Sequence, residues 1–350
     1  MNGRTGRPSR VGGPLLIVAA SLAGLAVALA IAGYDPVLAL GALWRGSLGS
    51  FDAFASGTLV RATPLILLAL GFALALRGGM LNIGAEGQFL AGAIAAAWLG
   101  VHLAGWPSLL AIPATWAVAF AAGLIWVVAP VVLRVRYGVL EVISTLLLNF
   151  VAEALVSFMV QGPLQERRGI YPQSDPIAEA ARLPLLPGTR LHLGIVLAVL
   201  LAVALWFYFS RTLGGFRLLA VGTGPKAAAI TGRIDVTRTA ALALLVSGGI
   251  AGLAGAAEVG GVAYALYPNL SPGYGFTAIA VALLARLHPG AIIVTGVLFG
   301  ALETGAGAMQ RDAGIPAVIV YVVEAVIILA LLLADARSRT ARSLAGAAAV

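Results

Sequence analysis

The stretch Gly78–Trp98, GGMLNIGAEGQFLAGAIAAAW, begins with two glycines and ends in an apolar helix. Between these ends lie the polar side chains of Asn82, Glu86 and Gln88, at the start of a segment that otherwise suits lipid. Burying such groups costs several kcal/mol unless neighbouring groups satisfy them. We therefore predict that they line a polar path through a membrane protein. The alternative is that they cap the helix at the water interface.

The composition is that of a membrane protein. The chain has 350 residues, of which 61% are hydrophobic and 10% are charged, and its mean hydropathy is +1.01. A soluble domain carries about 25% charged residues. Because this deficit leaves too little polar surface to face water, we predict an all-α polytopic membrane protein. The chain has no cysteine, and its three histidines lack ligand spacing, so we expect neither thiol chemistry nor a metal site.

Hydropathy predicts about ten transmembrane helices in a single domain, residues 1–350. Most are close to the length needed to cross a bilayer, about 20 residues. The two short segments on either side of His288-Pro289-Gly290 are either a tight pair of full spans or two half-helices. Spans two to five and seven to ten are expected to form two inverted halves. The predicted spans are residues 14–33, 58–77, 81–101, 108–133, 140–161, 192–210, 239–263, 273–287, 289–306 and 315–334.

The distribution of basic residues sets the predicted orientation. With both termini in the cytoplasm, roughly two-thirds of the 22 lysines and arginines lie in inside segments, as the positive-inside rule requires. This bias explains the net charge of +8 without a nucleic-acid partner. Residues 1–33 resemble a signal peptide, but their apolar run is longer than the apolar region of a signal peptide, which has about 7–15 residues. We therefore expect an uncleaved first helix.

The inside loop, residues 211–238, contains signals for a short helix. Pro225 suits the first helical position, the following Lys-Ala-Ala-Ala run favours a helix, and Gly232 is suited to end it. The sequence therefore predicts a helix over residues 225–232 on the cytoplasmic face. The alternative is a basic loop that rests on anionic lipid headgroups.

A second polar motif, VLEVISTLLLNF, covers residues 139–150. Thr145 and Asn149 are one helical turn apart and share a face. Asn149 lies about 12 Å along the helix from Glu141, so it is expected inside the bilayer. An asparagine at that depth either lines a path or joins neighbouring helices. The other acids assigned to spans are Glu258, Glu303 and Glu324, for which structural burial is favoured over a proton relay.

Four segments together resemble the permease subunits of ATP-binding-cassette (ABC) importers. The resemblance is to the nucleoside and simple-sugar branch of the branched-chain amino acid and sugar permease family. Its segments are LNIGAEGQ at 81–88, EVISTLLLNF at 141–150, the loop at 211–238 and GFTAIAVALLARLHP at 275–289. The loop departs from the family pattern at Leu219, where the family often has arginine, and at Gly224, where it often has asparagine.

The resemblance implies a permease that moves a small polar solute, a nucleoside first and a simple sugar next, by alternating access. It implies that the inside loop docks into a separate ATPase subunit through Gly222, Pro225, Ala227, Ala228 and Gly232. The translocation path would be formed by Asn82, Glu86, Gln88, Thr145 and Asn149. The sequence has no GxxxxGK[ST] phosphate-binding motif, so ATP hydrolysis is expected on the partner, and this chain is not expected to be an enzyme.

The resemblance also implies further partners and a location. These are a second permease in a heterodimer, an extracytoplasmic substrate-binding protein and the lipid of a bacterial inner membrane. No cofactor is implied. The competing hypothesis is a proton-coupled secondary transporter that uses Glu258, Glu303 or Glu324.

Overall fold

The computed structural model describes residues 23–316, apart from residue 28, together with residues 318 and 325. Within these residues the chain is helical, and its one isolated β-bridge joins Leu185 to His192. Half of the predicted span 14–33 and most of the predicted span 315–334 lie outside the described residues, as do Glu324 and both termini.

The helices of the described residues follow closely on one another. Their bounds are α1 Pro36–Ser47, α2 Leu59–Arg77, α3 Ala85–His102, α4 Ser108–Trp126, α5 Val128–Tyr137, α6 Glu141–Gln161, α7 Gly194–Arg211, α8 Leu213–Thr223, α9 Pro225–Ile230, α10 Val236–Glu258, α11 Tyr274–Leu284 and α12 Pro289–Ala313. Short π-helices at Ala53–Thr58 and Val259–Ala263 extend α2 and α10, respectively.

Six helical segments in the described part of the chain are long and apolar enough to cross a membrane. They are Ala53–Arg77, Ser108–Tyr137, Glu141–Gln161, Gly194–Arg211, Val236–Ala263 and Pro289–Ala313. The prediction of an α-helical, multi-pass membrane protein is therefore confirmed, but the count of ten is not. The predicted span 81–101 corresponds to α3, whose first turn carries Glu86 and Gln88 and which is not among these six.

The predicted segments 273–287 and 289–306 form neither a pair of full spans nor two half-helices. The first helix, α11, is only 11 residues long, whereas α12 is a full 25-residue helix. At 1.5 Å per residue, α11 crosses only about half of a bilayer. Arg286 and Leu287 have φ angles of 52° and 59°, so the chain leaves the helical conformation before Pro289. The pair is thus one half-helix and one full span.

The described part of the chain forms two compact units, the larger with residues 54–301 and the smaller with the described residues before 54 and after 301. In the smaller unit, α1 begins at Asp35, whose carboxylate accepts hydrogen bonds from two amides of the first turn. Gly46 of α1 lies against Ala308, and Gly305 lies against Leu43. The two predicted inverted halves remain a prediction.

Helix α10 is at the centre of the larger unit and packs against α2, α3 and α4. Small residues allow this close approach. A Cβ atom at Gly252 would overlap the carbonyl oxygen of Ala119 in α4, and one at Gly255 would overlap that of Phe89 in α3. Gly123 of α4 meets the backbone of Gly248 in the same way. Such contacts replace the hydrophobic effect as the source of helix association in lipid.

The loop at residues 162–193, which we call the cap loop, is bound to the segment that follows α10. The amides of Ser174, Ile177 and Leu183 donate hydrogen bonds of 2.8 Å to the carbonyls of Leu266, Tyr264 and Gly260. His192, at the end of the cap loop, is fully buried, and this burial lowers its pKa to about 4. A Cβ atom at Gly261 would overlap the His192 ring, so the cap loop contacts residues 260–266 through both backbone and side chain.

Candidate translocation and coupling sites

The polar side chains at the start of α3 form a buried network. The Asn82 amide nitrogen donates to Gln88 Oε1 at 2.8 Å and to Ser247 Oγ of α10 at 2.9 Å. The Gln88 amide nitrogen donates back to Asn82 Oδ1 at 2.9 Å. Asn82 and Gln88 are 0% and 1% exposed, so they lie inside the protein rather than at a water interface. Their hydrogen bonds to each other satisfy the buried amide groups.

Asn149 joins α6 to the start of α3. Its side-chain oxygen accepts from the Gly87 amide at 2.8 Å, and its nitrogen donates to the Ile83 carbonyl at 3.0 Å. Thr145, one turn earlier, donates to the Glu141 carbonyl of its own helix at 2.7 Å. Of the two sequence alternatives for Asn149, this geometry favours helix joining. A role of Asn149 or Thr145 in the path stays a prediction.

Replacing Asn149 by leucine is expected to destabilise the protein. The change leaves the Gly87 amide and the Ile83 carbonyl without their partner, at about 1–3 kcal/mol for each buried group. We expect the yield of monodisperse protein in detergent to fall severalfold for Asn149→Leu. Thr145→Val is the control, because Thr145 bonds only within its own helix turn. Equal yields and melting temperatures for the two variants would show that the Asn149 bonds are dispensable.

Glu86, also in the first turn of α3, holds the N-terminus of the half-helix α11. Its Oε2 accepts from the Gly275 amide at 2.6 Å, and it also accepts from the hydroxyl of Ser271. A Cβ atom at Gly275 would overlap the backbone of Glu86, so only glycine permits this approach. Gly273 precedes the helix with a φ of 99°, a conformation that glycine adopts freely. The carboxylate therefore lies where the α11 helix dipole favours negative charge.

Tyr274 extends this contact to α2. Its hydroxyl accepts a hydrogen bond from the guanidinium of Arg61, and its ring packs edge-on against Phe89 with centroids 6.0 Å apart. Glu258 is 4% exposed at the end of α10, within range of electrostatic interaction with Arg61. Charged groups from three helices therefore lie around the N-terminus of α11. They are Arg61 of α2, Glu86 of α3 and Glu258 of α10.

Sequence reasoning missed part of this arrangement. The sequence patterns identify none of Arg61, Ser271 and Tyr274 as part of the candidate site. Glu153 was omitted from the acids inside spans, although it lies 12 residues into α6. Counting charged residues by depth within each helix would have found Glu153, whereas the contact between Arg61 and Tyr274 depends on a fold that brings residues 213 positions apart together.

The predicted inside loop forms two short helices, α8 and α9, that pack on the ends of α2 and α10. A Cβ atom at Gly222 would overlap the carbonyl oxygen of Arg77, the last residue of α2. Val221 of α8 and Ala228 of α9 belong to a buried apolar cluster that also contains Met80 and Leu244. The loop is therefore part of the folded unit.

Helix α9 presents one face to this cluster and the other to its surroundings. It begins at Pro225, as predicted, but ends at Ile230, so Gly232 lies beyond it. Ala228 is 5% exposed and faces the protein, whereas Ile230 is 80% exposed. Ala227, like Ile230, is exposed. A direct contact between a partner and this helix would therefore involve Ala227 and Ile230 rather than Ala228.

Residues 54–332 match the family described as branched-chain amino acid transport system / permease component, and the chain belongs to this family. It is 37% identical to the glucose ABC transporter permease protein TsgB13 of Haloferax volcanii, over 93% of this chain and 87% of that protein. It is 35% identical to the guanosine ABC transporter permease protein NupP of Bacillus subtilis, over 90% of this chain and 91% of that protein.

A third relative is the nucleoside ABC transporter permease protein NupB of Lactococcus lactis, 35% identical over 90% of this chain and 88% of that protein. Bacillus subtilis has a further similar chain, the guanosine ABC transporter permease protein NupQ, at 29% identity over 69% of this chain and 78% of that protein. The recognised resemblance to ABC importer permeases of the nucleoside and sugar branch is confirmed by these relatives and by the family match.

Proposed function

We propose that this chain imports a nucleoside, or otherwise a simple sugar, by alternating access driven by separate ATPase subunits. Relatives named for guanosine, nucleosides and glucose support these two solute classes. The observation that carries the mechanism is the packing of α8 and α9 on the end of α2, where Gly222 meets the backbone of Arg77. Because this contact has backbone on both sides and no side chain that could yield, a movement of α8 toward α2 would displace the end of α2.

A displacement of α8 by the ATPase would be transmitted to the polar residues at the start of α3. Gly79, two residues after Arg77, lies against Gly222, and Met80 packs in the same cluster as Val221. Asn82 comes two residues later and begins the buried network with Gln88. The segment between α2 and α3 therefore links the proposed ATPase contact to the proposed path within a few residues. The path would be bordered by Asn82, Glu86, Gln88, Thr145 and Asn149. Of these, Asn149 would also hold α6 against the start of α3.

The proposed ATPase contact is the outward face of α9, with Ala227 and Ile230 as its apolar part and Gly222, Pro225, Ala228 and Gly232 as structural support. An isolated helix this short is marginal in water, so a partner surface would stabilise it. The cap loop, on the outer side of the membrane, would bind a substrate-binding protein. The chain would lie in a bacterial inner membrane, with both termini in the cytoplasm.

A second permease is the further proposed partner. Bacillus subtilis has two similar guanosine permeases, NupP and NupQ, which supports a heterodimer for this chain as well. The relatives are ABC transporter permeases, so the comparisons do not favour a proton-coupled mechanism through Glu258 or Glu303. A lipid contact remains proposed for the arginines of the 211–238 loop.

The test replaces Ile230 by aspartate in the complex purified with its native partners. The added charge should disrupt an apolar contact, so we expect co-purification of the ATPase and ATP-driven uptake to fall at least tenfold. Arg217→Ala is the control, because a loop that binds lipid headgroups would depend on this exposed arginine more than on Ile230. Normal uptake by Ile230→Asp, with loss of uptake in Arg217→Ala, would contradict the coupling role.

A further inference from the structure

An open groove lies between the end of α5 and the start of α10, and we call it the basic groove. Its volume is about 470 Å³, which is within the range of small-ligand sites. It belongs neither to the buried network at the start of α3 nor to the outward face of α9. Its lining residues are Val131, Val132, Val135, Arg136, Asp235, Thr237, Arg238 and Ala241.

The two arginines of the basic groove lie at the same level of their helices. A Cβ atom at Gly248 of α10 would lie 2.8 Å from the Val127 side chain, so the helices are in contact at that point. Arg136 follows Val127 by nine residues and Arg238 precedes Gly248 by ten, which places them about 14 Å and about 15 Å from this contact. Each is one or two residues from the end of a segment that can cross a membrane. Both guanidinium groups are therefore at the level of the lipid headgroups.

The basic groove carries more positive than negative charge. Arg136 and Arg238 are exposed, and in the described part of the chain neither guanidinium has an ion-pair partner. The neighbouring Arg134, in contrast, pairs with Glu141 at 3.2 Å. The acid of the groove, Asp235, caps α10 by accepting a hydrogen bond from the Arg238 amide at 2.9 Å. Two arginines thus face one carboxylate that already has a backbone partner, so the groove attracts an anion.

The wall beyond the arginines is apolar and suits hydrocarbon. Val132 and Val135 are 42% and 47% exposed, and Ala241 leaves space opposite them on α10. Tyr137, next to Arg136, is 70% exposed, as is typical of an aromatic side chain at a membrane–water interface. A free phosphate would contact the arginines but not the valines. A lipid with a phosphate headgroup and acyl chains matches both parts of the groove, as in other basic pockets between membrane-spanning helices.

We propose that the basic groove binds an anionic phospholipid. Arg136 and Arg238 contact its phosphate, since guanidinium groups bind phosphate oxygens through paired N–H donors. An acyl chain lies along Val132, Val135 and Ala241. The inference goes beyond the proposed function and takes from it only the orientation, which places this lipid in the cytoplasmic leaflet. The lipid stabilises the first turn of α10, five residues after the proposed ATPase contact on α9.

The experiment titrates the full-length chain, purified with its native partners in detergent, with dioleoyl phosphatidylglycerol. Bound lipid is counted by native mass spectrometry, and dioleoyl phosphatidylcholine, with the same acyl chains, is the reference lipid. Each basic residue near an anionic surface contributes about fivefold in affinity, so we expect Arg136→Gln with Arg238→Gln to lower the affinity for phosphatidylglycerol about 25-fold. Binding of phosphatidylcholine should stay within twofold.

Two further double variants are the controls. Arg136→Lys with Arg238→Lys keeps both charges and should retain most of the binding. Arg211→Gln with Arg217→Gln removes the same charge from two other exposed arginines and should bind phosphatidylglycerol as the wild type does. Equal losses in this variant and in Arg136→Gln with Arg238→Gln would overturn the site and leave only a diffuse attraction of anionic lipid.

The remaining outcomes separate the lipid from other occupants. If inorganic phosphate displaces phosphatidylglycerol at equal concentration, the site takes a free anion and the lipid proposal is wrong. It is also wrong if Arg136→Gln with Arg238→Gln binds the lipid normally, and loss of a partner subunit in that variant would assign the groove to a protein interface. Because these measurements do not involve uptake, the lipid site can fail while the proposed function holds, and the reverse.

Discussion

Replacing Gly252 by valine should abolish accumulation of the folded protein. A Cβ atom at Gly252 would overlap the Ala119 carbonyl, and Gly92 of α3 meets Gly252 from the other side. The position therefore lies where α10 touches both α3 and α4, with backbone on each side. Overpacking a core costs about 1–3 kcal/mol and occasionally more, and here two helix backbones rather than side chains would have to move. We expect aggregation during purification instead of a monodisperse peak.

Gly290→Val is the matched control for Gly252→Val. A Cβ atom at Gly290 would meet only the ring of His288, at 3.4 Å, which is an ordinary contact. Both variants replace glycine by the same β-branched residue in a helix, so the change in helix propensity is shared. The measurement is the amount of monodisperse protein and its melting temperature in detergent. Similar values for the two variants would show that α10 does not need close contact at Gly252.

Local signals in the sequence indicate where some helices begin. Pro225 begins α9, as the capping rules suggest, and the apolar runs at 140–161 and 192–210 coincide with the helices Glu141–Gln161 and Gly194–Arg211. These features depend on neighbours along the chain. The early end of α11 does not, because it follows from left-handed conformations at Arg286 and Leu287, two residue types that rarely adopt them.

The candidate site was predictable as a region but not as a set of contacts. The polar start of α3 was identified because charged and amide groups are rare in apolar segments. Which of them would be satisfied internally depends on partners that are distant in sequence, such as Ser247 for Asn82. The same limit applies to Ala228, whose inward direction follows from the packing of α9 on α10 and not from its own composition.

Replacing Gly222 by valine should separate ATP hydrolysis from transport. The added side chain would displace α8 from the end of α2, because the nearest atom is the Arg77 backbone carbonyl and cannot rotate away. Helix α10 packs mainly with α2, α3 and α4 and only to a smaller extent with α8. We therefore expect the variant to fold and to bind ATPase subunits through α9, with uptake reduced at least tenfold.

Gly224→Ala is the control for Gly222→Val, two residues away in the same segment. A Cβ atom at Gly224 would meet only the Ala227 methyl group, at 3.8 Å, and its φ of −156° is open to any residue. Uptake and ATP hydrolysis should be measured for both variants in the purified complex. Gly224→Ala should match wild type, and Gly222→Val should hydrolyse ATP with little uptake. If Gly222→Val retains uptake, the contact between α8 and the end of α2 is not needed for transport. The movement of the ATPase subunits would then reach the path through another contact.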